Sequence, residues 1–230
     1  MILAAGRGER MRPLTDQCPK PLLKVGNQPL IGHHLNRLRE AGFKDIVINH
    51  AWLGHQIETT LADGSDYGVH IHYSAEQTGG LETAGGIATA LPLLGEQPFL
   101  VINGDVLTDI DFNSVAEHAQ QMQMRGDLAY LWLVNNPAHH TQGDFSLTAS
   151  QRVSAQFISA ATWTFSGIGI YHPALFADIA PHTRAKLAPV LRQAMNKNKV
   201  GGIKHEGRWL DVGTVERLKQ ANEWVEAGLC

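Results

Sequence analysis

The chain has 230 residues, of which 43% are hydrophobic and 18% are charged, and its formal net charge is −3. This composition is typical of a globular protein with a sizeable core, and it excludes a disordered chain and general nucleic-acid binding. No apolar run is long enough for a transmembrane helix, the first residues show no secretory signal, and two cysteines are too few for a disulfide framework. We therefore expect a cytoplasmic protein, monomeric or homodimeric, with no membrane or nucleic-acid partner.

The predicted elements of the first half, in chain order, are a very short strand within 1–5, a strand over 45–49, a helix carrying Trp52, Ile57 and Leu61, a strand over 70–73, a helix over 83–94, a strand over 99–103, a helix over 112–124 and a strand over 128–134. Continuous apolar strands separated by helices predict a sheet whose two faces are both covered. The predicted fold class is α/β, with a doubly wound, mostly parallel, Rossmann-like sheet.

From about residue 135 the pattern changes. Segments 145–148, 151–153 and 163–170 have the pattern of antiparallel strands, 186–196 that of a helix, 199–210 that of a hairpin around Glu206 and Gly207, and 215–227 that of a final helix. No Pro- or Ser-rich linker separates the two parts of the chain. We therefore predict a single domain over 1–230, with a small antiparallel insert on the main sheet.

Positive charge is concentrated near the start of the chain. Residues 1–40 contain seven basic and three acidic residues, a net of +4, and the remainder contains 12 basic and 19 acidic residues, a net of −7. A locally basic segment in an acidic protein suits a small polyanion bound at one place. Chance clustering on a solvated surface explains the same distribution equally well.

A glycine-rich turn follows the first strand. Gly6 and Gly8 have no Cβ, so the backbone there can approach a ligand, and exposed N–H groups in such turns bind phosphates. A Walker A loop is excluded because Arg10 and Met11 stand where its Gly-Lys-Ser/Thr would end, and Met11 also replaces the third glycine of the dinucleotide fingerprint. A tight structural turn is the alternative interpretation.

Four segments together carry a family resemblance: LAAGRGERMRPLT at 3–15, PKPLL at 19–23, NGD at 103–105 and WLDVGT at 209–214. They resemble the motifs of the sugar-nucleotide pyrophosphorylases, nucleotidyltransferases that join a nucleoside triphosphate to a sugar 1-phosphate. The resemblance spans most of the chain. It implies a glycosyltransferase-A-like sandwich, with a nucleotide-binding half over about 1–134 and a sugar-binding half over about 135–230.

The implied reaction is attack by a sugar-phosphate oxygen on the α-phosphorus of the nucleotide, with pyrophosphate leaving in line. Such catalysis depends on positioning and on electrostatic stabilisation. The resemblance implies that Asp105 and Asp211 hold one Mg²⁺, that Lys20 binds the phosphates and that Arg10 faces the leaving pyrophosphate. Taken alone, each acid is as readily a turn or helix-capping residue, and each cation a solvated side chain.

The segment EQTGGLETAGGI at 76–87 resembles the family's base-contacting loop and the helix that follows it. Gln77 stands five residues before Glu82, a spacing that uridylyl and thymidylyl members share, and an amide complements O4 and N3–H of uracil. Glu76 is the rival, since a carboxylate could equally accept from guanine. The implied nucleotide-binding residues are Leu3, Ala4, Ala5, Gly6, Arg7, Gly8, Arg10, Glu76, Gln77, Glu82, Thr83 and Asn103.

A narrower resemblance concerns the substrate. Many relatives carry Gly at the position of Glu82, and LETAGG at 81–86 with INHAWLG at 48–54 resembles the bacterial N-acetylmuramate 1-phosphate uridylyltransferases of cell-wall recycling. This implies UTP and that sugar 1-phosphate as substrates. On the sugar side Phe165 replaces the Asn of the family's Asn-Thr-Gly, and no Glu-Lys-Pro clamp is present. The candidate sugar-binding residues by position are Gly143, Asp144, Ser166, Gly167 and Lys186, the last facing a phosphate or the lactyl carboxylate.

Two other functions stay open. One is a guanylyl- or thymidylyltransferase acting on mannose or glucose 1-phosphate, and the other is a non-catalytic regulator that binds a nucleotide sugar. The intact set of Arg10, Lys20, Asp105 and Asp211 argues against the regulator. The pairs His33-His34, at a predicted helix start, and His139-His140, in a loop, are expected to be structural because no third ligand has metal-site spacing.

Overall fold

The computed structural model describes residues 1–77, 79–156 and 161–229. Its strands are β1 Ile2–Leu3, β2 Lys24–Val25, β3 Gln28–Pro29, β4 Asp45–His50, β5 His70–Ala75, β6 Phe99–Asn103, β7 Val106–Thr108, β8 Ala129–Val134, β9 Ser146–Leu147, β10 Val153–Ser154, β11 Thr164–Tyr171, β12 Val200–Lys204 and β13 Trp209–Asp211. Its α-helices are α1 Leu30–Glu40, α2 Gly54–Leu61, α3 Glu82–Leu94, α4 Val115–Arg125, α5 Leu187–Asn196 and α6 Val215–Glu226.

The chain forms two compact units that alternate along the sequence. The first contains Met1–Leu81, Asn103–Asn113 and Arg208–Cys230, and the second contains Glu82–Ile102 and Ser114–Gly207. A segment that is short in sequence, such as 103–113, therefore belongs to a different unit from the residues on either side of it.

Parallel strands form the sheet of the first unit. β1 pairs with β4, so that Ile2 lies opposite Ile48, and β4 pairs with β5 along its whole length. All of β4 after Asp45 is buried, and its run over 46–48 is apolar because both faces of the strand are covered. β1 and β4 end at Leu3 and His50, and the glycine-rich turn begins immediately after β1.

A second core in this unit brings together segments that are far apart in the sequence. Its buried members come from the N-terminal loops, α1, β7, β13 and α6: Met11, Leu23, Val25, Leu30, Leu107, Leu210, Val212 and Ala221. Since β13 pairs antiparallel with β7, the WLDVGT segment is held against the residues that follow NGD. This core positions three of the four motif segments relative to one another.

The second unit has a mixed sheet in the order β6-β11-β8-β12. β12 runs parallel to β8, whereas β11 lies antiparallel between β6 and β8. All six residues of β8 are buried. Together the two units confirm the predicted α/β fold with a mostly parallel sheet and small antiparallel additions, which include the β9–β10 and β7–β13 pairs.

The predicted strands and helices of both halves are found within a few residues of their expected bounds. The predicted hairpin over 199–210 is wrong. Its two strands, β12 and β13, do not pair with each other, because β12 adds to β8 and β13 adds to β7. The reason is that a strand pairs with whichever strand edge the fold brings beside it. The turn-like pair Glu206-Gly207 does not specify which strand that is.

Within the described residues, no helix is both long enough and apolar enough to span a membrane. Cys18 is a free thiol, and burial raises its pKa. The second cysteine of the sequence, Cys230, and Thr78 of the base-contacting segment lie outside the described residues.

Candidate active site

The glycine-rich turn is held in shape by contacts within the first unit. Gly8 has φ +71°, and a Cβ there would lie 2.9 Å from Thr15 Cγ2, so the turn requires glycine at this position. The Thr15 hydroxyl donates to the Gly8 carbonyl at 2.8 Å. Arg7, predicted to contact the nucleotide, donates to the Thr15 carbonyl and to Asp16 Oδ1, both at 2.7 Å, and its guanidinium lies 3.9 Å from the centre of the Trp52 ring.

These contacts have an electrostatic consequence. The hydrogen bond from Arg7 holds the pKa of Asp16 below its ordinary value. Arg7 therefore stabilises the turn through its side chain.

Lys20 and Asp105 meet in this unit although 85 residues separate them. Gly104 donates its N–H to the Leu3 carbonyl at 2.8 Å, and a Cβ at Gly104 would lie 2.6 Å from that oxygen, so glycine alone allows this close approach to β1. Asp105 is thereby placed beside the end of β1. The Lys20 ammonium donates to the Asp105 carboxylate, and Pro19 precedes the short 3₁₀ turn on which Lys20 lies.

Asp211 is the neighbour of Asp105 across the β7–β13 ladder. Asp211 lies opposite Val106, and the Val212 N–H donates to the Asp105 carbonyl at 2.7 Å. The structure therefore brings together the two acids that the sequence motifs separated by more than 100 positions. The Asp211 carboxylate accepts a hydrogen bond from Arg217, in the first turn of α6.

Arg10 lies close to the same group of residues. A Cβ at Gly213 would lie 2.8 Å from Arg217 Nη2 and 3.0 Å from Arg10 Nη2. The absence of a side chain at Gly213 thus leaves room for two guanidinium groups next to the motif that carries Asp211. Arg10, Lys20, Asp105 and Asp211, the four residues predicted to be catalytic, all lie in the first unit.

The paired acids fit the ligands that Mg²⁺ takes in phosphate-handling enzymes. Mg²⁺ binds through one or two carboxylates and completes its shell with waters and phosphate oxygens. In the part of the chain that the structure describes, no group of three or more His, Cys, Asp and Glu side chains is placed to hold a metal ion. Asp105 and Asp211 suit a metal whose shell is completed by substrate oxygens.

The start of the base-contacting segment is anchored by Asn49, at the end of β4. Asn49 is 3% exposed, accepts from the Ala4 N–H at 3.0 Å and donates to Glu76 at 2.6 Å. The other carboxylate oxygen of Glu76 accepts from the Leu81 N–H at 2.7 Å. Both oxygens of Glu76 thus hold the loop in place, while Gln77 is exposed.

Glu82 and Thr83 begin the second unit and start α3. Glu82 has φ +60°, in the left-handed region that favours glycine, which accounts for the expectation that relatives carry Gly here. Its carboxylate pairs with Arg184 at 3.0 Å. The Ala185 carbonyl accepts from the N–H groups of Ala84 and Gly85, so the residues before Lys186 are held against the first turn of α3.

The other candidate sugar-binding residues form a second group in this unit. Gly143 has φ +62° and packs against Asn136 and Thr162. Asp144 accepts from the Phe165 N–H at 2.8 Å, which ties the Gly143-Asp144 loop to the start of β11, where Ser166 and Gly167 follow. Ser166 is completely buried. Lys186 lies apart from this group in the sequence, as the N-cap residue of α5.

Several residues near the proposed site were not among the predicted site residues. Asn49 lies in the INHAWLG segment, but its sequence context indicates no role of its own, and Arg217 stands six residues after Asp211 in a helix, where it is not distinguishable from a surface cation. The buried His34 is a third such residue. Burial lowers the pKa of His34 to about 3, Arg37 lowers it by a smaller amount, and Asp105 raises it. A single sequence offers no pattern that connects these residues to the site.

A glycine-rich turn, clustered cations and two adjacent acids beside the end of a parallel strand form the arrangement expected of an enzyme that handles nucleotide phosphates. Comparison with known proteins agrees. The sequence profile of the nucleotidyl transferase family matches residues 1–228. The chain is 62% identical over 221 residues to the N-acetylmuramate alpha-1-phosphate uridylyltransferase of Neisseria meningitidis serogroup B, which covers 96% of this chain and 95% of that protein.

An enzyme of the same name from Caulobacter vibrioides is 33% identical, over 93% of this chain and 90% of its own length. A solved structure from Bacillus anthracis, provisionally assigned as a glucose-1-phosphate thymidylyltransferase, has the same fold. Its TM-score is 0.83 with 21% identity, covering 96% of this chain and 92% of that one. The chain belongs to the nucleotidyl transferase family and is a nucleotidyltransferase, as its motifs predicted.

Proposed function

We propose that this protein forms UDP-N-acetylmuramate and pyrophosphate from UTP and N-acetylmuramate 1-phosphate. One observation carries the choice of substrates: the 62% identity to the Neisseria meningitidis uridylyltransferase, which extends over nearly the full length of both proteins. We place the reaction in the cytoplasm, where UTP is made.

The arrangement of the first unit supports the chemistry of this proposal. A phosphate oxygen of the sugar forms the new bond to the α-phosphorus, and the bond from that phosphorus to the departing pyrophosphate breaks. Lys20 and Arg10 bear the positive charge that suits a triphosphate and its leaving group, and the turn at Gly6 and Gly8 offers backbone N–H groups. The residues bind and orient, and no covalent intermediate with the protein is needed.

Asp105 and Asp211 would hold Mg²⁺. When bound there, the ion supplies charge neutralisation for the phosphates. Asp105, immediately before β7, and Asp211, at the end of β13, are close along the ladder, and this supports the assignment because Mg²⁺ binds through one or two carboxylates.

We assign recognition of uracil to Gln77 rather than to Glu76. Both oxygens of Glu76 already accept hydrogen bonds within the loop, from Asn49 and from Leu81. Gln77 is exposed, and its amide both donates and accepts, as the O4 and N3–H of uracil require. We also assign Leu3, Ala4, Ala5 and Asn103 of the first unit to the nucleotide, from their positions in the motifs.

We assign the sugar phosphate to the second unit. Gly143 and Asp144 are tied to the start of β11, and Ser166 and Gly167 follow there, so they form one group of candidates. Lys186 offers a cation for the phosphate or for the lactyl carboxylate of N-acetylmuramate.

Pyrophosphate release measured with each nucleotide and each sugar phosphate tests the proposal. UTP, GTP and dTTP are each paired with N-acetylmuramate 1-phosphate, mannose 1-phosphate and glucose 1-phosphate. We expect the highest kcat/KM for UTP with N-acetylmuramate 1-phosphate. A preference for GTP with mannose 1-phosphate would support the guanylyltransferase instead, and tight nucleotide-sugar binding without turnover for any pair would support the regulator.

Substitution of the two acids tests the proposed catalytic site. Asp105→Asn and Asp211→Asn should each lower kcat by about 100-fold or more, because a neutral amide would hold Mg²⁺ less well and the phosphates would lose its charge. Asp178→Asn, at an exposed position of the second unit, is the matched control and should keep the parental rate. Near-parental kcat in both active-site variants would refute the assignment of these acids.

A further inference from the structure

Each of the two acids proposed to bind metal already has a cation of the protein bound to it. Lys20 donates to Asp105, and Arg217 donates to Asp211. The two cationic side chains are 11% and 13% exposed, less than the carboxylates they contact, at 32% and 22%. These are therefore partly desolvated, charge-assisted pairs, which are stronger than ion pairs on an open surface.

Arg217 has no part in the predicted motifs, yet its position is well defined. Its backbone N–H donates to the Thr214 hydroxyl, which caps α6, and this fixes the start of the helix. Its side chain reaches back along the helix to Asp211. Gly213 leaves room there for both Arg217 and Arg10, so the second guanidinium lies near the first.

A divalent cation and a guanidinium compete for the same carboxylate. A metal that binds without a nucleotide must displace Arg217 from Asp211 or share the carboxylate oxygens with it. Either one costs part of the Coulomb attraction between Arg217 and Asp211. A polyphosphate changes this balance, since it offers a guanidinium several oxygens in the geometry that arginine binds best.

We propose that Arg217 is an internal counter-cation of Asp211 that keeps the free enzyme's affinity for divalent metal low, so that tight metal binding requires a nucleotide that engages the guanidinium. This inference rests on the proposed function only in taking Asp211 as a metal ligand. By linkage, the same free energy couples the metal to the nucleotide in both directions.

The experiment is a titration of the enzyme with Mn²⁺ alone, with free Mn²⁺ measured by its electron paramagnetic resonance signal and no nucleotide or sugar present. Arg217→Gln should bind Mn²⁺ about fivefold more tightly than the parent, because one competing charge is removed. Lys219→Gln removes the same charge from an exposed position of the same helix and should change the affinity less than about twofold. A purely structural role for Arg217 predicts weaker metal binding instead.

Unchanged or weaker Mn²⁺ binding in Arg217→Gln would overturn the proposal while leaving substrate choice untouched. If Arg217→Gln does not fold, Arg217→Lys replaces it. Because the point charge of lysine holds Asp211 less well than a guanidinium does, the affinity for Mn²⁺ should rise about twofold. An affinity that does not rise would count against the proposal. Asp211→Asn should weaken binding in the parental background. If it does not, both this proposal and the metal assignment fail, and the turnover assay still reports the substrates independently.

Discussion

At the scale of single residues, the site depends on positions where a side chain would not fit. Gly8 has a left-handed backbone and lies against Thr15 and Lys20, and Gly104 allows the chain to approach Leu3. Gly6 differs, since nothing lies within 4 Å of the position of its Cβ. Gly6 and Gly8 belong to one motif but have different physical roles, since only Gly8 lies where a side chain would clash.

Gly8→Ala should destabilise the fold by about 1–2 kcal/mol. The new Cβ would lie 2.9 Å from Thr15 Cγ2 and 3.4 Å from Lys20 Cβ, and the φ of +71° is unfavourable for alanine. The measurement is urea-induced unfolding. Gly6→Ala is the control and should stay within about 0.5 kcal/mol of the parent. Equal losses in the two variants would show that the glycines are needed for a shared reason other than packing.

At the scale of elements, Asn49 joins three parts of the first unit. It is the penultimate residue of β4, accepts from the backbone just after β1 and donates to Glu76 at the start of the segment 76–87. A buried amide that makes both bonds keeps these elements at a constant spacing, since losing either bond leaves a polar group without a partner. Glu76 is thus tied through Asn49 to the backbone that leads into the glycine-rich turn.

Asn49→Ala should cost about 1–3 kcal/mol of folding free energy and raise the KM for UTP more than that for the sugar phosphate. Two hydrogen bonds are lost in a buried place, and the start of the base-contacting segment loses its anchor. Urea unfolding and steady-state kinetics measure the two effects. Asn113→Ala, at an exposed position, serves as the control. A variant that lost stability but kept its KM for UTP would remove the link between this side chain and the nucleotide.

At the scale of the whole molecule, low pH lowers the free energy of unfolding through groups whose pKa is lower in the folded state than in the unfolded chain. His34 is 2% exposed, and burial lowers its pKa from 6.5 to about 3. The unfolded chain therefore takes up a proton below pH 6.5 that the folded chain does not. The stability contributed by neutral His34 is complete above pH 6.5 and is lost as the pH falls toward 3. Asp16 and Asp111, whose pKa values hydrogen bonds lower, add to the loss near and below pH 4.

The free energy of unfolding should fall by about 2 kcal/mol between pH 7.5 and pH 5 through His34 alone. His34→Gln should remove this part of the pH dependence, whatever its effect at neutral pH. His70→Gln, where the side chain is 77% exposed, is the control and should keep the parental slope. Urea unfolding at the two pH values measures the difference. An unchanged slope in His34→Gln would show that His34 does not stay neutral in the folded protein.

Local sequence was sufficient for the elements and for the family. Apolar runs predicted β4, β6 and β8, helical spacing predicted α2 to α6, and the four motif segments identified the nucleotidyl transferase family, because these signals depend on neighbours within a few positions. The same reasoning failed at the predicted hairpin over 199–210. A strand pattern states that a segment is extended, and it does not state which partner the segment pairs with.

The sequence by itself determined which residue types this chemistry would use: a glycine turn, two cations and two acids in recognisable motifs. The tertiary structure alone decided that β13 pairs with β7, that Asp105 and Asp211 are therefore neighbours, that Arg217 donates to Asp211 and that Asn49 joins Ala4 to Glu76. Most of those facts depend on contacts across many tens of residues. Such contacts form only when the apolar surfaces of the first unit are buried together, and no local pattern records which surfaces those are.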